Sequence, residues 1–327
     1  MRRGIAGLLA GTLVALALAA LAPDAPAQQP VPRAMGVDTA NQCLACHAAQ
    51  REAATVGVHS QQGVRCVDCH GGNPDVAALP AAHQGGFVGR LNKVQTAELC
   101  GSCHSDPNKM RAYGLPTGQL AQFRTSKHGQ LLFGSGNTDA PTCAPTCISC
   151  HGAHSALPPT GGEIASVCGQ CHQLVDQAFQ QGPHGLASKA GSLHGCLACH
   201  SNHGTERVAA GNIAATCDKC HASNTKLHQM GIDLQRRVVQ AQQDMASAAR
   251  AIDLLSAAGA QVGYYKFRYQ SALTYYGQIA QAQHSLDLEK VDGLARRVRS
   301  VSVDLTTASD TKQENRWEHK LVLVPVW

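Results

Sequence analysis

Large apolar side chains are scarce between Cys43 and His221, and no long apolar periodicity runs through that stretch. A segment so poor in hydrocarbon has too little to bury to build a core of its own. After Leu21 no apolar run approaches the roughly 18 residues of a membrane span, so no span is expected beyond the N-terminus. Methionine is rare as well: apart from Met1 there are only Met35, Met110, Met230 and Met245. Two of these, Met230 and Met245, fall on a helical core stripe described below, so few thioethers are free for other work.

The N-terminus reads as a targeting segment. Arg2 and Arg3 are followed by an apolar stretch from Ile5 to Leu21, and Ala25-Pro26-Ala27 forms an A-x-A cleavage site. Residues 1–27 are therefore expected to be a signal peptide, with Gln28 starting the mature chain. No cysteine follows the cleavage site to carry a lipid.

Cysteine is abundant, with fifteen in 327 residues. Fourteen of them form seven C-x-x-C pairs, and every pair is followed at once by histidine. The motifs are Cys43-Cys46-His47, Cys66-Cys69-His70, Cys100-Cys103-His104, Cys147-Cys150-His151, Cys168-Cys171-His172, Cys196-Cys199-His200 and Cys217-Cys220-His221. Disulfides and zinc both use paired cysteines. Neither explains seven adjacent histidines in a chain with 17 histidines in all. C-x-x-C-H is the attachment signature of a c-type haem: the two thiols become thioethers on the porphyrin vinyl groups, and the histidine lies under the iron. The sequence thus predicts seven covalently attached haem c groups, and these must supply the core that the apolar residues cannot. Apo-protein is expected to be largely unfolded. Haem attachment follows translocation, so export is expected by a Sec-type route, to the periplasm or the cell exterior.

The formal charge of +5 does not point to nucleic acid. Losing residues 1–27 leaves 25 Lys+Arg against 21 Asp+Glu. Seven haems bring fourteen propionates, so the holoprotein carries about −10 if all ionise.

Each iron has a second face to fill. Ten histidines lie outside the motifs: His59, His83, His128, His154, His184, His194, His203, His228, His284 and His319. The first seven precede the last motif and match the number of open sites, so they are expected to be the distal ligands, with His228 in reserve. His154 and His203, three residues after His151 and His200, remain on the proximal side of their own haem, so each should reach a neighbouring one. Two imidazoles leave a haem at lower potential than imidazole with thioether does. Spacings between motif histidines are 23, 34, 47, 21, 28 and 21 residues, and the alternation of short and longer gaps suggests paired units. Cys143 is left over. Ala140-Pro141-Thr142-Cys143 is repeated at once as Ala144-Pro145-Thr146-Cys147, so a small tandem duplication accounts for it, with a ligand or redox thiol as the alternative.

Beyond His221 the pattern becomes helical. Leu227, Met230, Leu234, Val238, Ala241, Met245, Ala248, Ile252 and Leu255 recur at steps of three and four. Ala258-Gly259-Ala260 interrupts, and a second stripe follows: Val262, Tyr265, Tyr269, Ala272, Tyr276, Ile279, Gln283 and Leu286. Asp287 is a plausible N-cap for a third, with Val291, Leu294, Val298, Val301 and Leu305 facing inward. The fold class expected is mainly α with much irregular structure. A haem-cored multihaem domain over 28–225 precedes an antiparallel three-helix bundle over 226–308 and an apolar, strand-like tail over 309–327.

The haem array over about residues 41–228 resembles the multihaem cytochrome c family with paired C-x-x-C-H motifs, related to cytochrome c3-like proteins. The most specific segments are Ser126-Lys127-His128-Gly129, Ala144 to His154, and Gly182-Pro183-His184-Gly185. They resemble segments that supply distal histidines in that family. The resemblance implies an electron carrier between a membrane quinol oxidoreductase and a terminal reductase or further cytochromes, in anaerobic-type respiration. The helices or tail at the C-terminus would serve docking or self-association. A second class stays open: a multihaem oxidoreductase acting on a small nitrogen or sulfur compound at one open haem. The C-terminal helices resemble the architecture of hydroxylamine oxidoreductase and pentahaem nitrite reductase. Against that, the sequence has no C-x-x-C-K motif, and seven haems match neither family's usual count.

Overall fold

The computed structural model describes residues 41–134, 143–157 and 163–322. Residues 1–27 and the end of the apolar tail, from residue 323, lie outside them. Among the described residues the protein is mainly helical, with no β-strand. No described helix is long and apolar enough to cross a membrane.

The described residues between 41 and 225 form helices of three to twelve residues joined by turns. Only Val94, Ala97, Leu132 and Ala144 of their buried apolar side chains form a cluster of their own; Leu44, Met110, Ala156, Ala178 and Phe179 are buried outside it. The scarcity seen in the sequence therefore carries through to packing. The motifs sit at helical turns, either as a short helix of their own, as at Cys43–Cys46, Cys66–His70 and Cys147–His151, or at the end of a longer one, as at Lys93–His104. The amides of His47, His172, His200 and His221 donate to the carbonyls of Cys43, Cys168, Cys196 and Cys217 at 2.9–3.0 Å. One such turn brings a cysteine and its partner three residues on to the same face, with the histidine beside them. After His70 and His151 the chain leaves through Gly71 (φ +64°) and Gly152 (φ +75°), a conformation that favours glycine.

Three helix–break–helix units recur in this region. Gln50–Val56 and Val58–Gln61 meet at Gly57, Gln119–Thr125 and Lys127–Phe133 at Ser126, and Gln173–Gln181 and Pro183–Lys189 at Gly182. Each junction is a single extended residue, with ψ of 139°, 161° and 170°. The second residue of each second helix is a histidine: His59, His128 and His184. The residue after it packs on the last turn of the preceding helix. Ser60 Oγ donates to the carbonyl of Ala54, while Gly129 and Gly185 lie so close to the carbonyls of Phe123 and Phe179 that a Cβ would clash. The His-Gly dipeptides thus have a steric cause.

The C-terminal part is a bundle of three long helices. The first spans Lys226–Ala257, capped by the Thr225 hydroxyl, which accepts from the His228 amide (3.2 Å). It buries Leu234, Val238, Ala241, Met245, Ala248, Ile252 and Leu255 along one stripe. Gly259 (φ +74°) ends it. The second spans Gly263–Ala282, its half-buried Tyr265, Tyr269 and Tyr276 packed against that core. The third spans Leu288–Val322, with Asp287 Oδ1 accepting from the Lys290 amide (3.0 Å). Arg237 with Asp292 (3.4 Å), and Ser302 Oγ with the Asp244 carbonyl (2.7 Å), set the first and third helices parallel. Arg268 with Asp304 (2.6 Å), and Arg297 over the Tyr275 ring (5.3 Å), set the second antiparallel to the third. The third helix is longer than expected. It passes residue 308 and includes Leu321 and Val322, which were expected in a strand-like tail. Ser309, buried one step of four beyond Leu305, continues the stripe, and the Lys, Gln and Glu residues that follow are good helix formers.

Candidate metal centres

Every motif histidine faces a second histidine. The pairs are His47 with His83 (ring centres 6.4 Å apart), His70 with His154 (6.1 Å), His104 with His59 (6.0 Å), His151 with His203 (6.0 Å), His172 with His128 (6.0 Å), His200 with His284 (6.3 Å) and His221 with His184 (6.1 Å). Rings at this distance are not in van der Waals contact. Allowing about 2 Å for each metal–nitrogen bond and about 1 Å from nitrogen to ring centre gives about 6 Å for two imidazoles on opposite sides of one metal ion. The spacing fits a bis-imidazole iron. Among the described residues no three His, Cys, Asp or Glu side chains converge tightly enough to hold a bare ion. Donors in twos suit a metal whose remaining ligands come from a macrocycle, not a tetrahedral zinc site.

The protonation state agrees with ligation. Burial, and after it a neighbouring histidine, pushes His59, His104, His128, His154, His184, His203 and His284 below the usual imidazole range. A neutral ring keeps the lone pair that a metal needs. On two motif histidines the other nitrogen is committed. Nδ1–H of His200 donates to the Glu206 carbonyl (2.8 Å) and that of His151 to the Leu157 carbonyl (3.4 Å). Such a bond fixes the tautomer and leaves Nε2 as the ligating atom.

None of the fifteen cysteines is in a disulfide. Their neighbours order the motifs. The first cysteines of motifs one and two, Cys43 and Cys66, hydrogen-bond to each other, and Asn41 bridges them, its Nδ2 donating to Cys66 Sγ (3.2 Å) and its Oδ1 accepting from the Cys43 amide (3.0 Å). Cys100 pairs likewise with Cys147, and Cys168 with Cys196. The hydrogen bond from Cys100 brings Cys147 down to about 7, and that from Cys196 does the same for Cys168. At the remaining junctions the neighbours are Cys69 with Cys103, Cys150 with Cys168 and Cys171, and Cys199 with Cys217 and Cys220. Successive motifs are therefore neighbours from one end to the other. First cysteines meet at one–two, three–four and five–six, of which only one–two coincides with a short sequence gap.

Of the seven histidines expected as distal ligands, His59, His83, His128, His154, His184 and His203 each stand opposite a motif histidine. His154 and His203 do reach neighbours, facing His70 and His151. His194 does not. It is exposed at the N-cap of the turn Gly195–Ala198, and the single residue between it and Cys196 holds it outside the paired positions. His284 stands in the seventh position instead. Sequence reading passed over it because donors were sought upstream of the last motif. His228, the reserve, contacts Asp218 through Nδ1. Cys143 sits on an exposed turn. Met110 is buried, and Met245 lies in the bundle core. Comparison with family models, with curated proteins and with solved structures returned no match.

Proposed function

We propose that the protein is a seven-haem c-type cytochrome that passes electrons along its length between redox partners. The observation that carries this reading is the pairing of every C-x-x-C-H histidine with a second histidine. Haem bound at such a site supplies one-electron iron chemistry. The chain's own residues do the rest. The two cysteines of each motif would hold the porphyrin, and the paired imidazoles would be the protein's ligands to its iron, leaving no place for substrate there. Cysteines of successive motifs lie near one another, and each would carry a porphyrin edge, so neighbouring groups would follow one another in motif order. The first motif then forms one end of the conduit and the seventh the other. Paired imidazoles favour low potentials over those of His/Met sites.

This arrangement supports a carrier over an oxidoreductase with one open haem, since no motif histidine lacks an opposite ring. The partners proposed are a membrane quinol oxidoreductase, a terminal reductase or further cytochromes, with the protein exported to the periplasm or beyond. Electron paramagnetic resonance of the oxidised holoprotein tests the reading. The expected result is seven haems per chain, all low-spin, with no change on adding cyanide or nitrite. A strong high-spin signal that those ligands alter would transfer the case to the enzyme, and a chain that binds no haem would end both.

A further inference from the structure

The donors opposite the motif histidines follow a rule with a period of two motifs. The third, fifth and seventh motifs receive theirs from helix–break–helix units located upstream: His59 lies between motifs one and two, His128 between three and four, His184 between five and six. The second and fourth receive theirs from the C-H-x-x-H loop of the motif two places downstream. His154 follows the fourth motif and faces His70, and His203 follows the sixth and faces His151. Each pair of motifs thus reaches forward and backward into the next, as the units of a repeat protein do.

The rule runs out at both ends. The first motif has no upstream unit to draw on, since residues 1–40 contain no histidine. Its partner is His83, which lies between motifs two and three and against Phe87, their ring centres 4.3 Å apart and tilted by 41°. The sixth motif would need the C-H-x-x-H loop of an eighth. After the seventh motif the chain enters the bundle instead. The ring found opposite His200 is His284, in the turn Gln283–Ser285 between the second and third bundle helices.

The surroundings of His284 are built for that position. It is mostly buried, beside the carbonyls of Gln281 and Ala280, and Leu286 behind it takes a left-handed conformation (φ +58°) that turns the chain into the third helix. Gly182 lies against the next residue: a Cβ there would be 2.8 Å from the Ser285 carbonyl oxygen. The same end of the bundle packs on the seventh motif. A Cβ on Gly231 would lie 2.9 Å from Cys217 Sγ, and Gln235 Oε1 accepts from the Ala214 amide (3.0 Å).

We infer that the C-terminal bundle is the terminal cap of the haem array and that His284 is the distal ligand of the sixth haem, taking the place of the loop histidine of a further motif. Terminal units that differ from the repeat and close its open end are what a stacked architecture requires. The bundle is then a ligand-donating part of the conduit rather than an appended docking module.

This inference rests on the seven-haem reading, and its test separates the two. Holoprotein carrying His284→Ala is compared with wild type and His194→Ala by haem count and by electron paramagnetic resonance. The expected result is seven haems in all three, with one high-spin haem of seven in H284A that returns to low-spin on adding imidazole. H194A should match wild type. Seven low-spin haems in H284A, or a high-spin haem in H194A, would overturn the inference while leaving the carrier reading intact. A wild type without haem would overturn both. If H284A yields no holoprotein, His284→Met decides: one haem should rise in potential above the other six, and a titration identical to wild type would sink the assignment.

Discussion

His154 stands opposite His70, their rings 6.1 Å apart and tilted by 29°, although the whole third motif lies between them in sequence. The residue that closes the loop of the fourth motif thus faces the histidine of the second. Replacing His154 with alanine should leave the haem at Cys147 and Cys150 untouched and open the one at Cys66 and Cys69. The expected readout is one high-spin haem of seven, rescued by imidazole. An unchanged spectrum would remove His154 from the ligand set.

Gly57 is the neighbour that makes this placement possible. Its missing side chain leaves room for the His154 carbonyl, and the adjacent Val58 amide donates to the Ala156 carbonyl (3.0 Å). Gly57→Ala should therefore push apart two segments that each carry a distal histidine, His59 and His154. Overpacking of this kind costs about 1–3 kcal/mol. Haems two and three should both weaken together, visible as two perturbed components in a redox titration. A single perturbed haem would show that the two segments move independently.

The motifs were legible because the chemistry proposed for them is local: two thioethers and a proximal ligand would come from five consecutive residues, so the pattern survives without knowledge of the fold. The bundle stripes were legible for a similar reason, since Leu234, Val238, Ala241 and Met245 report a face with a helical period. Distal ligands were harder. Ser126-Lys-His128-Gly and Gly182-Pro-His184-Gly stood out through the glycine after the histidine, whereas Val58-His59-Ser60 adopts the same frame with a serine and gave no such signal. His284 was hidden because its role depends on a tertiary contact between the bundle and the sixth motif. His194 misled because nearness to a motif in sequence is not nearness to an open axial position.

The bundle's far end should be separable from the haems. Leu255 is fully buried near the end of the first helix, at the opposite end of the bundle from the turn that holds His284. Leu255→Ala should lower stability by about 2–5 kcal/mol, seen as an earlier unfolding transition by circular dichroism at 222 nm, a wavelength of about the helical minimum. The haem spectrum at low temperature should match wild type. A high-spin haem in this variant would mean that the cavity is transmitted along the helices to the sixth site.

Cys143 is exposed on a turn ahead of the fourth motif, outside the chain of cysteine contacts that links motif to motif. Cys143→Ser should keep seven haems and an all-low-spin spectrum, and should raise the yield of correctly matured protein, because an exposed free thiol is open to mis-attachment and oxidation. Loss of a haem would assign the thiol a ligand or maturation role and remove the duplication account.

The seam between Gly182 and Ser285 joins two donors, since Gly182 opens the turn that presents His184 and Ser285 follows His284. Valine tolerates the extended backbone at residue 182 (φ −87°, ψ 170°), so Gly182→Val acts by volume alone. Its side chain would meet the Ser285 backbone and force the bundle turn away from the Gln173–Gln181 helix. The expected outcome is partial high-spin character confined to the sixth and seventh haems, with Gly182→Ala showing a smaller fraction. Haems one to five have no donor on either side of this seam and should keep their wild-type potentials. A uniform shift of all seven would instead indicate general loosening of the array, and the seam would lose its place as the contact that seats His284 over the sixth site.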